Sequence, residues 1–241
     1  MAAFCVALYW QLPAALLLRL LPTPLPAPWA TTAEGLVVDG TLWSGTARGL
    51  VFAGQPIGRV RWQISPLQGL LAKAEGSLEV VADQGSLVTA LAVNANGDGA
   101  LTDLRVQWPL ASLQSSQTPP WRGKLTATLD EIVLREGRVA SWTGVLRLQA
   151  LSAPGGGPAL GDFEAVWPAG SNQGRVRDLA GPVELRAALL RGSDGRYRLE
   201  GEAAPRPSAG APVREALLLF GPPDRAGRHA LRLEFGLSTP P

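Results

Sequence analysis

The sequence predicts a mainly β fold: a curved, largely antiparallel, meandering sheet with one short C-terminal helix, preceded by an N-terminal membrane-anchor helix. Three observations lead to this prediction. Apolar and polar residues alternate along most of the chain, tight-turn residues separate the alternating runs, and stretches with helical spacing are scarce. Alternation with a period of two is typical of strands that bury one face. The sheet is therefore expected to bury one side and to expose the other.

An apolar segment at the amino end, residues 1–21, carries no charge before Arg19. At about 1.5 Å per residue, a helix of this length spans the hydrocarbon core of a bilayer. We expect a membrane anchor; the alternatives are a signal peptide cleaved near Thr31–Ala33 and an apolar helix buried in the domain. The Pro-rich residues 22–34 are expected to form a linker, and residues 35–241 a β-rich domain.

The alternation is clearest in runs where charged or polar side chains on one face oppose apolar side chains on the other. These runs are 59–64, 103–108, 124–130, 183–189, 196–203 and 231–237. Between them, Asn-Gly, Asp-Gly and similar turn residues supply the positive φ that tight hairpins require. The turns are expected at 96–99, 136–137, 155–158, 170–174 and 193–195. Strands adjacent in sequence should therefore pair in antiparallel order.

Helices are expected in only two places of the domain. Val213–Phe220 follows Pro212 and ends before Gly221, which predicts a two-turn helix, and Pro66–Leu71 predicts one further turn. Helices this short cannot cover the apolar face of a large sheet. The sheet must curl over on itself, pair into a sandwich, or keep an apolar trough for a ligand or partner.

Composition excludes several classes of function. The chain has 22 Lys and Arg against 20 Asp and Glu, a net charge of +2, and no basic stripe, so a nucleic-acid partner is not expected. One Cys and one His cannot form a Cys/His zinc site or an internal disulfide. No metal or cofactor is therefore expected.

Catalytic constellations are missing from the sequence. His229 has no G-x-S-x-G nucleophile elbow to serve, so it is interpreted as a turn or strand-edge histidine. Asp130 and Glu131 are adjacent on a predicted strand and point to opposite faces, so they cannot share a substrate. Residues 94–99 lack the oxygen ligands of a calcium loop and are interpreted as a hairpin turn. The chain is expected not to be an enzyme.

Tryptophans are spread through the predicted strands. A buried Trp contributes a large apolar area and needs one partner for its N–H. Ordinary packing in the core or at a sheet edge is the first interpretation, and a contact surface for a protein or a lipid is the alternative. The residues concerned are Trp43, Trp62, Trp108, Trp121, Trp142 and Trp167.

Several short motifs resemble those of one known family. The run Gly-Thr-Leu-Trp-Ser-Gly-Thr-Ala at 40–47 follows the apolar segment and linker, and 54–62 contains Gly-Gln-Pro-Ile-Gly-Arg-Val-Arg-Trp. Together with 65–67, 181–185, 194–197 and 219–229, they resemble the type II secretion system protein N family over roughly Gly35 to Phe235. Gly45 and Gly49 also fit a bulged or sharply bent strand, where backbone approaches backbone.

The resemblance implies a non-enzymatic accessory of the bacterial type II secretion system. It implies a single-pass inner-membrane protein with its C-terminal domain in the periplasm, which supports export of folded proteins through the outer-membrane secretin. Expected partners are other components of the type II secretion system, among them the inner-membrane platform and the secretin, and membrane lipid. The alternative is a periplasmic AsmA-like lipid-handling module. The candidate motif and interaction residues are Gly40, Trp43, Ser44, Gly45, Pro56, Gly58 and Trp62.

Overall fold

Strands make up most of the protein. The computed structural model describes residues 9–16, 29–31, 35–52, 55–113, 121–136, 138–192 and 196–236. The strands are β1 (Trp29–Thr31), β2 (Val37–Gly40), β3 (Ser44–Arg48), β4 (Leu50–Phe52), β5 (Gln55–Pro56), β6 (Arg59–Ile64), β7 (Lys73–Val81), β8 (Ser86–Asn94), β9 (Gly99–Pro109), β10 (Arg122–Arg135), β11 (Arg138–Ser152), β12 (Ala159–Trp167), β13 (Gln173–Ala180), β14 (Val183–Arg191), β15 (Arg196–Pro205) and β16 (His229–Gly236). The α-helices after the first strand are α1 (Pro66–Gly69) and α2 (Ala211–Leu218), and Leu110–Leu113 and Pro154–Gly156 form short 3-10 helices.

The strands follow one another in the sheet almost as they do in the chain. A 13-stranded sheet runs β2-β3-β6-β7-β8-β9-β10-β11-β12-β13-β14-β15-β16, and β1, β4 and β5 form a separate three-stranded sheet. The registered hairpins, such as β6–β7 and β14–β15, are antiparallel. The predicted antiparallel meander is thus confirmed, since short turns can only join neighbours in this order. The curvature of the sheet stays a prediction.

In several paired strands, apolar residues face apolar residues and charged residues face charged residues, as the alternation predicted. In β15–β16, Leu199 lies opposite Leu233, and one residue earlier Arg198 lies opposite Glu234. The same offset recurs in β6–β7, where Trp62 pairs with Leu78 and the neighbouring pair joins an arginine to a glutamate. Because side chains alternate across a strand, this register places apolar side chains together on one face and charged side chains together on the other.

Two compact units divide the chain. The amino-terminal unit comprises residues 1–106 and 129–142, and the carboxyl-terminal unit comprises residues 107–128 and 143–241. Each has its own apolar cluster. That of the amino-terminal unit is built on Ala14, Ala47 and Trp62, with Val60 and Leu78 packed against them.

Helix α2 covers the apolar face in the carboxyl-terminal unit. Its buried residues Val213 and Leu217 pack in a cluster with Phe163, Val183 and Leu231 of the strands. The two residues are four apart, so they lie on one side of the helix. The predicted helix exists but runs from Ala211 to Leu218, two residues earlier at each end than predicted. It can begin at Ala211 because a proline fits the first turn of a helix and does not have to precede it.

The described part of the amino-terminal segment is Tyr9–Leu16. Residues 9–10 and 15–16 are helical, and between them Pro13 forms an antiparallel bridge with Thr41. Within the described part of the chain, no helix combines the length and the apolar character needed to cross a bilayer. The rest of the predicted anchor and linker, residues 1–8, 17–28 and 32–34, lies outside the described residues, as do 53–54, 137 and 193–195 of the motifs and turns.

Candidate functional site

The Gly40–Gly45 motif forms the turn between β2 and β3. Gly40 has φ +98°, and a Cβ there would lie 2.5 Å from the Ser44 carbonyl oxygen, so only glycine fits. The Thr41 N–H donates to that carbonyl at 2.8 Å, and the Ser44 N–H donates to Oγ1 of Thr41 at 3.1 Å. These bonds satisfy the backbone of a tight loop and present Ser44 to solvent.

Gly45 makes room for a tryptophan. It lies opposite Trp62 in the sheet, and a Cβ on Gly45 would come within 2.4 Å of the Trp62 ring. Trp62 is 7% exposed, and its Nε1–H donates to the Leu42 carbonyl oxygen at 3.1 Å. The indole therefore fixes the hairpin turn to the apolar cluster while its one polar group is satisfied.

Trp43 contacts the amino-terminal segment. Its ring centroid lies 4.6 Å from that of Tyr9, and its Nε1–H donates to the Tyr9 carbonyl oxygen at 2.7 Å. The Tyr9 hydroxyl in turn donates to the Pro66 carbonyl oxygen at 2.6 Å. Gly69 of α1 lies against both rings, since a Cβ there would be 2.5 Å from the Tyr9 hydroxyl and 2.6 Å from Trp43.

Backbone bonds also connect the segment to the hairpin turn. The Ala14 N–H donates to the Gly40 carbonyl at 3.0 Å, and the Leu42 N–H donates to the Leu12 carbonyl at 2.8 Å. The Ala14 side chain is fully buried. The segment thus adds to the turn in the manner of a short strand. Five of the seven predicted residues, Gly40, Trp43, Ser44, Gly45 and Trp62, lie at this docking site or directly beneath it.

Pro56 and Gly58 lie elsewhere, at a bend in one long hairpin. The register of β3–β6 continues unchanged into β4–β5, with the Ile57 N–H donating to the Leu50 carbonyl at 3.1 Å. Between the two parts, Gly49 has φ +88° and Gly58 has φ +76°. A Cβ on Gly58 would lie 2.2 Å from the Val81 carbonyl oxygen, so the bend requires glycine there. This agrees with the bend expected at Gly49.

A cavity of about 670 Å³ lies at this bend, and we call it the bend cavity. Nη1 of Arg61 lies 3.2 Å from Oε2 of Glu79, and both residues line the cavity. Nη2 of Arg48 lies 3.5 Å from Oδ2 of Asp39, which does not line the cavity. Both pairs are exposed, so water screens them. The lining residues are Arg48, Gly49, Leu50, Pro56, Gly58, Arg59, Arg61, Glu79, Val81, Ala82 and Asp83.

On the polar face of the carboxyl-terminal unit, arginine and carboxylate side chains form a network of ion pairs. At its best-buried point, the Glu164 carboxylate accepts from Arg177 at 2.7 Å and from Arg147 at 2.8 Å, and its side chain is 6% exposed. The hydrogen bonds from Arg177 and then Arg147 outweigh burial and lower the pKa of Glu164 below its usual value. The carboxylate therefore stays charged, which suits a structural ion pair.

The remaining candidates lie apart from one another. His229 is buried at the start of β16, with Nδ1 2.8 Å from the Gly221 carbonyl oxygen, so this ring nitrogen carries the proton. Asp130 and Glu131 are both exposed on β10. In the turn after β8, Oδ1 of Asn94 accepts from two backbone N–H groups of 96–98. Among the described residues, no group of three or more His, Cys, Asp or Glu is placed to hold a metal ion.

The tryptophans divide between core and surface. Trp62, Trp142 and Trp167 are buried, whereas Trp121 is exposed. Trp167 also packs edge-on against Tyr197, at 5.9 Å between ring centroids.

Sequence reasoning missed the contact between Tyr9 and Trp43 and the arginines of the bend cavity. The signal for the bend was a pair of glycines, Gly49 and Gly58, that lie opposite each other in the long hairpin.

Known proteins resemble this chain over almost all of its described strands. The family model described as type II secretion system (T2SS), protein N, matches residues 37–232, which include all seven predicted residues. The chain belongs to this family. It is 26% identical to the type II secretion system protein N of Aeromonas hydrophila over 244 aligned residues, covering 97% of this chain and 94% of the relative. No solved structure matches the chain. Membership in the T2SS protein N family supports an accessory role in secretion.

Proposed function

We propose that this member of the T2SS protein N family is a non-enzymatic accessory that is anchored in the inner membrane and supports secretion from the periplasm. The observation that carries the proposal is the family match over residues 37–232, which includes the hairpin turn and the bend. Residues 1–21 serve as the anchor in a form of the protein in which Tyr9–Leu16 has left the hairpin turn, and the β-rich part acts through its surfaces. Its partners are components of the inner-membrane platform and the secretin.

The hairpin turn is the surface that we propose for these contacts. Ser44 is exposed where the turn enters β3, while Gly40, Gly45 and the indole of Trp62 hold the turn in one conformation. A rigid tip binds with a smaller loss of conformational entropy than a flexible loop does. The contact of Trp43 with Tyr9 holds the proposed anchor segment on the turn, so the anchored form requires this contact to break.

A deletion strain tests the secretion role. In a host that carries the system, deletion should reduce the amount of a secreted T2SS substrate in the medium, and the full chain should restore it. Normal secretion in the deletion strain would contradict the proposal.

Site-specific photocrosslinking tests the surface. A photoreactive residue at Ser44 should crosslink to a platform component or the secretin, and the same residue at Arg232, exposed on β16, serves as the control. Equal crosslinking at both positions, or none at either, would argue against the hairpin turn as the contact.

Labelling tests the topology. In a chain with Cys5 replaced by Ala, a cysteine at the exposed Asp83 should react in intact spheroplasts with a thiol reagent that does not cross membranes. Reaction only after lysis would place Asp83 on the cytoplasmic side and contradict the proposed orientation.

A further inference from the structure

We propose that the bend cavity binds an organic anion in which a phosphate or carboxylate head is attached to an apolar body. The proposal does not rest on the secretion role. It rests on charge, on the spacing of two arginines, and on the volume and lining of the cavity.

The charges of the cavity favour an anion. Three arginines and two carboxylates line it, and Arg61 is already paired with Glu79 at 3.2 Å. Arg59 has no ion-pair partner among the described residues and is exposed to the cavity. Its guanidinium is therefore available to a ligand without breaking an existing pair.

The spacing of the arginines suits a single anionic head. Arg59 and Arg61 are two residues apart on β6, so their side chains leave the same face of the strand. At about 3.3 Å rise per residue, their Cα atoms are roughly 7 Å apart, which leaves room for one phosphate or carboxylate between the two guanidinium groups. Guanidinium groups bind both heads with charge-assisted, often bidentate hydrogen bonds.

The volume and the lining argue for an apolar body on the ligand. About 670 Å³ lies within the usual range of small-molecule sites, ~300–1,000 Å³, and exceeds what an inorganic phosphate needs. Leu50 and Pro56 line one side, on the bent hairpin tip, and Val81 and Ala82 line the other, at the end of β7. An alkyl or acyl group can therefore bury apolar surface beside the charged head.

Gly58 holds the two sides of the cavity together. Its Cα lies so close to β7 that a Cβ would lie 2.2 Å from the Val81 carbonyl oxygen and 2.6 Å from Ala82 Cα. The bend is thus fixed by backbone packing, and the cavity does not depend on a ligand to form. Pre-formed sites of this kind lose little entropy on binding.

Binding of hexyl phosphate to the full chain, kept in solution by an uncharged alkyl maltoside, tests the proposal by calorimetry. Arg59→Gln should weaken binding by about tenfold, because one charged hydrogen-bonding group is removed. Arg105→Gln, at an exposed arginine of β9 that does not line the cavity, is the matched control and should leave the affinity unchanged. Arg59→Lys keeps the charge and should retain part of the affinity.

Three further ligands separate the parts of the proposal. Hexanol should bind more weakly than hexyl phosphate if the head matters, and inorganic phosphate should bind more weakly if the apolar body matters. Short-chain phosphatidylglycerol identifies the source: tighter binding than hexyl phosphate points to a lipid, and weaker binding points to a small soluble organic phosphate. Equal binding by the parent chain and Arg59→Gln, or by hexanol and hexyl phosphate, would overturn the proposal.

Discussion

The two units of the chain cover the same kind of apolar strand face in different ways. In the carboxyl-terminal unit, the covering element is α2, which follows β15 directly and brings Val213 and Leu217 into the cluster. In the amino-terminal unit, Ala14 belongs to the cluster, and it lies in a segment that precedes every strand. A cover that is part of the meander should be lost only with the fold, whereas a terminal segment can leave while the strands remain.

The largest effect is expected at the cover of the carboxyl-terminal unit. Leu217→Ala should lower the free energy of unfolding by about 3 kcal/mol, because it leaves a cavity where a buried side chain had packed. Urea unfolding followed by tryptophan fluorescence measures the change. Leu218→Ala is the control: Leu217 is 4% exposed and Leu218 is 55% exposed, so the control should change stability by less than about 0.5 kcal/mol. Equal effects would contradict the assignment of α2 as the cover.

A second substitution disturbs the packing of the hairpin turn between β2 and β3, and not the segment that covers the apolar cluster. Gly45→Ala places a Cβ against the Trp62 ring and within 2.6 Å of the Asp39 carbonyl oxygen, so either the ring or the backbone must move. We expect a loss of about 2 kcal/mol, as for other overpacked sites. The same unfolding measurement applies. Ser44→Ala, at the exposed neighbour, should be close to neutral, and a neutral Gly45→Ala would show that the turn has more room than the structure indicates.

A charge at Ala14 sharpens the comparison between the two covers. Ala14→Asp places a carboxylate at a fully buried position, so the segment should undock from the turn, with a loss of about 1–2 kcal/mol. The loss is limited, because the strands keep their own pairing once the segment has left. Amide hydrogen exchange should show faster exchange at the Leu42 N–H, which bonds to Leu12.

The matched control for that experiment is the next residue. Ala15 is exposed, so Ala15→Asp should leave both stability and exchange unchanged. Global unfolding by Ala14→Asp would show that the segment cannot leave without loss of the fold. The two units would then not differ in how their covering elements are held.

The smallest effect is expected on the polar face. Glu164→Gln removes the charge that two arginines share, with a loss of about 1 kcal/mol near neutral pH, since both arginines remain half exposed to water. Glu234→Gln, in an exposed pair with Arg198, should change stability less. Urea titrations of both variants give the comparison.

The effect of Glu164 has a defined pH dependence. Its pKa is lower in the folded than in the unfolded chain, so its contribution is complete above the ordinary pKa of glutamate and is lost as pH falls through the lower folded value. The parent chain and Glu164→Gln should therefore differ in stability at about pH 7, and the difference should shrink as the pH falls below the ordinary pKa of glutamate. A difference that stays constant with pH would show that the arginines do not stabilise the charged form.

Local rules were sufficient for the six alternating runs, which fall in β6, β9, β10, β14, β15 and β16, and for the existence of α2. Arg61 and Trp62 fall on opposite faces as alternation requires, and α2 ends at Leu218, two residues before the end predicted from the Gly-Pro-Pro run at 221–223. The strand order followed because short turns leave a strand no other neighbour. These features depend on interactions between residues that are close in sequence, and such interactions can be predicted from the periodic pattern of apolar and polar residues.

The candidate site was predicted only in part. The motif residues stay candidates for a contact surface. Alternation assigns a residue to a face without naming its partner, so the contact of Trp43 with Tyr9 was missed. The burial of Glu164 was missed for the same reason, because it depends on arginines supplied by two neighbouring strands.

The glycine pair at positions 49 and 58 has a practical consequence for protein engineering. Because the ladder has the same register on both sides of the bend, β4 and β5 form an appendage that the main sheet does not need for alignment. A peptide tag spliced between β4 and β5 should lengthen that appendage and leave Arg59 and the strands after it in place. The tip thus offers an internal position for an epitope or fluorophore when both termini must stay unmodified.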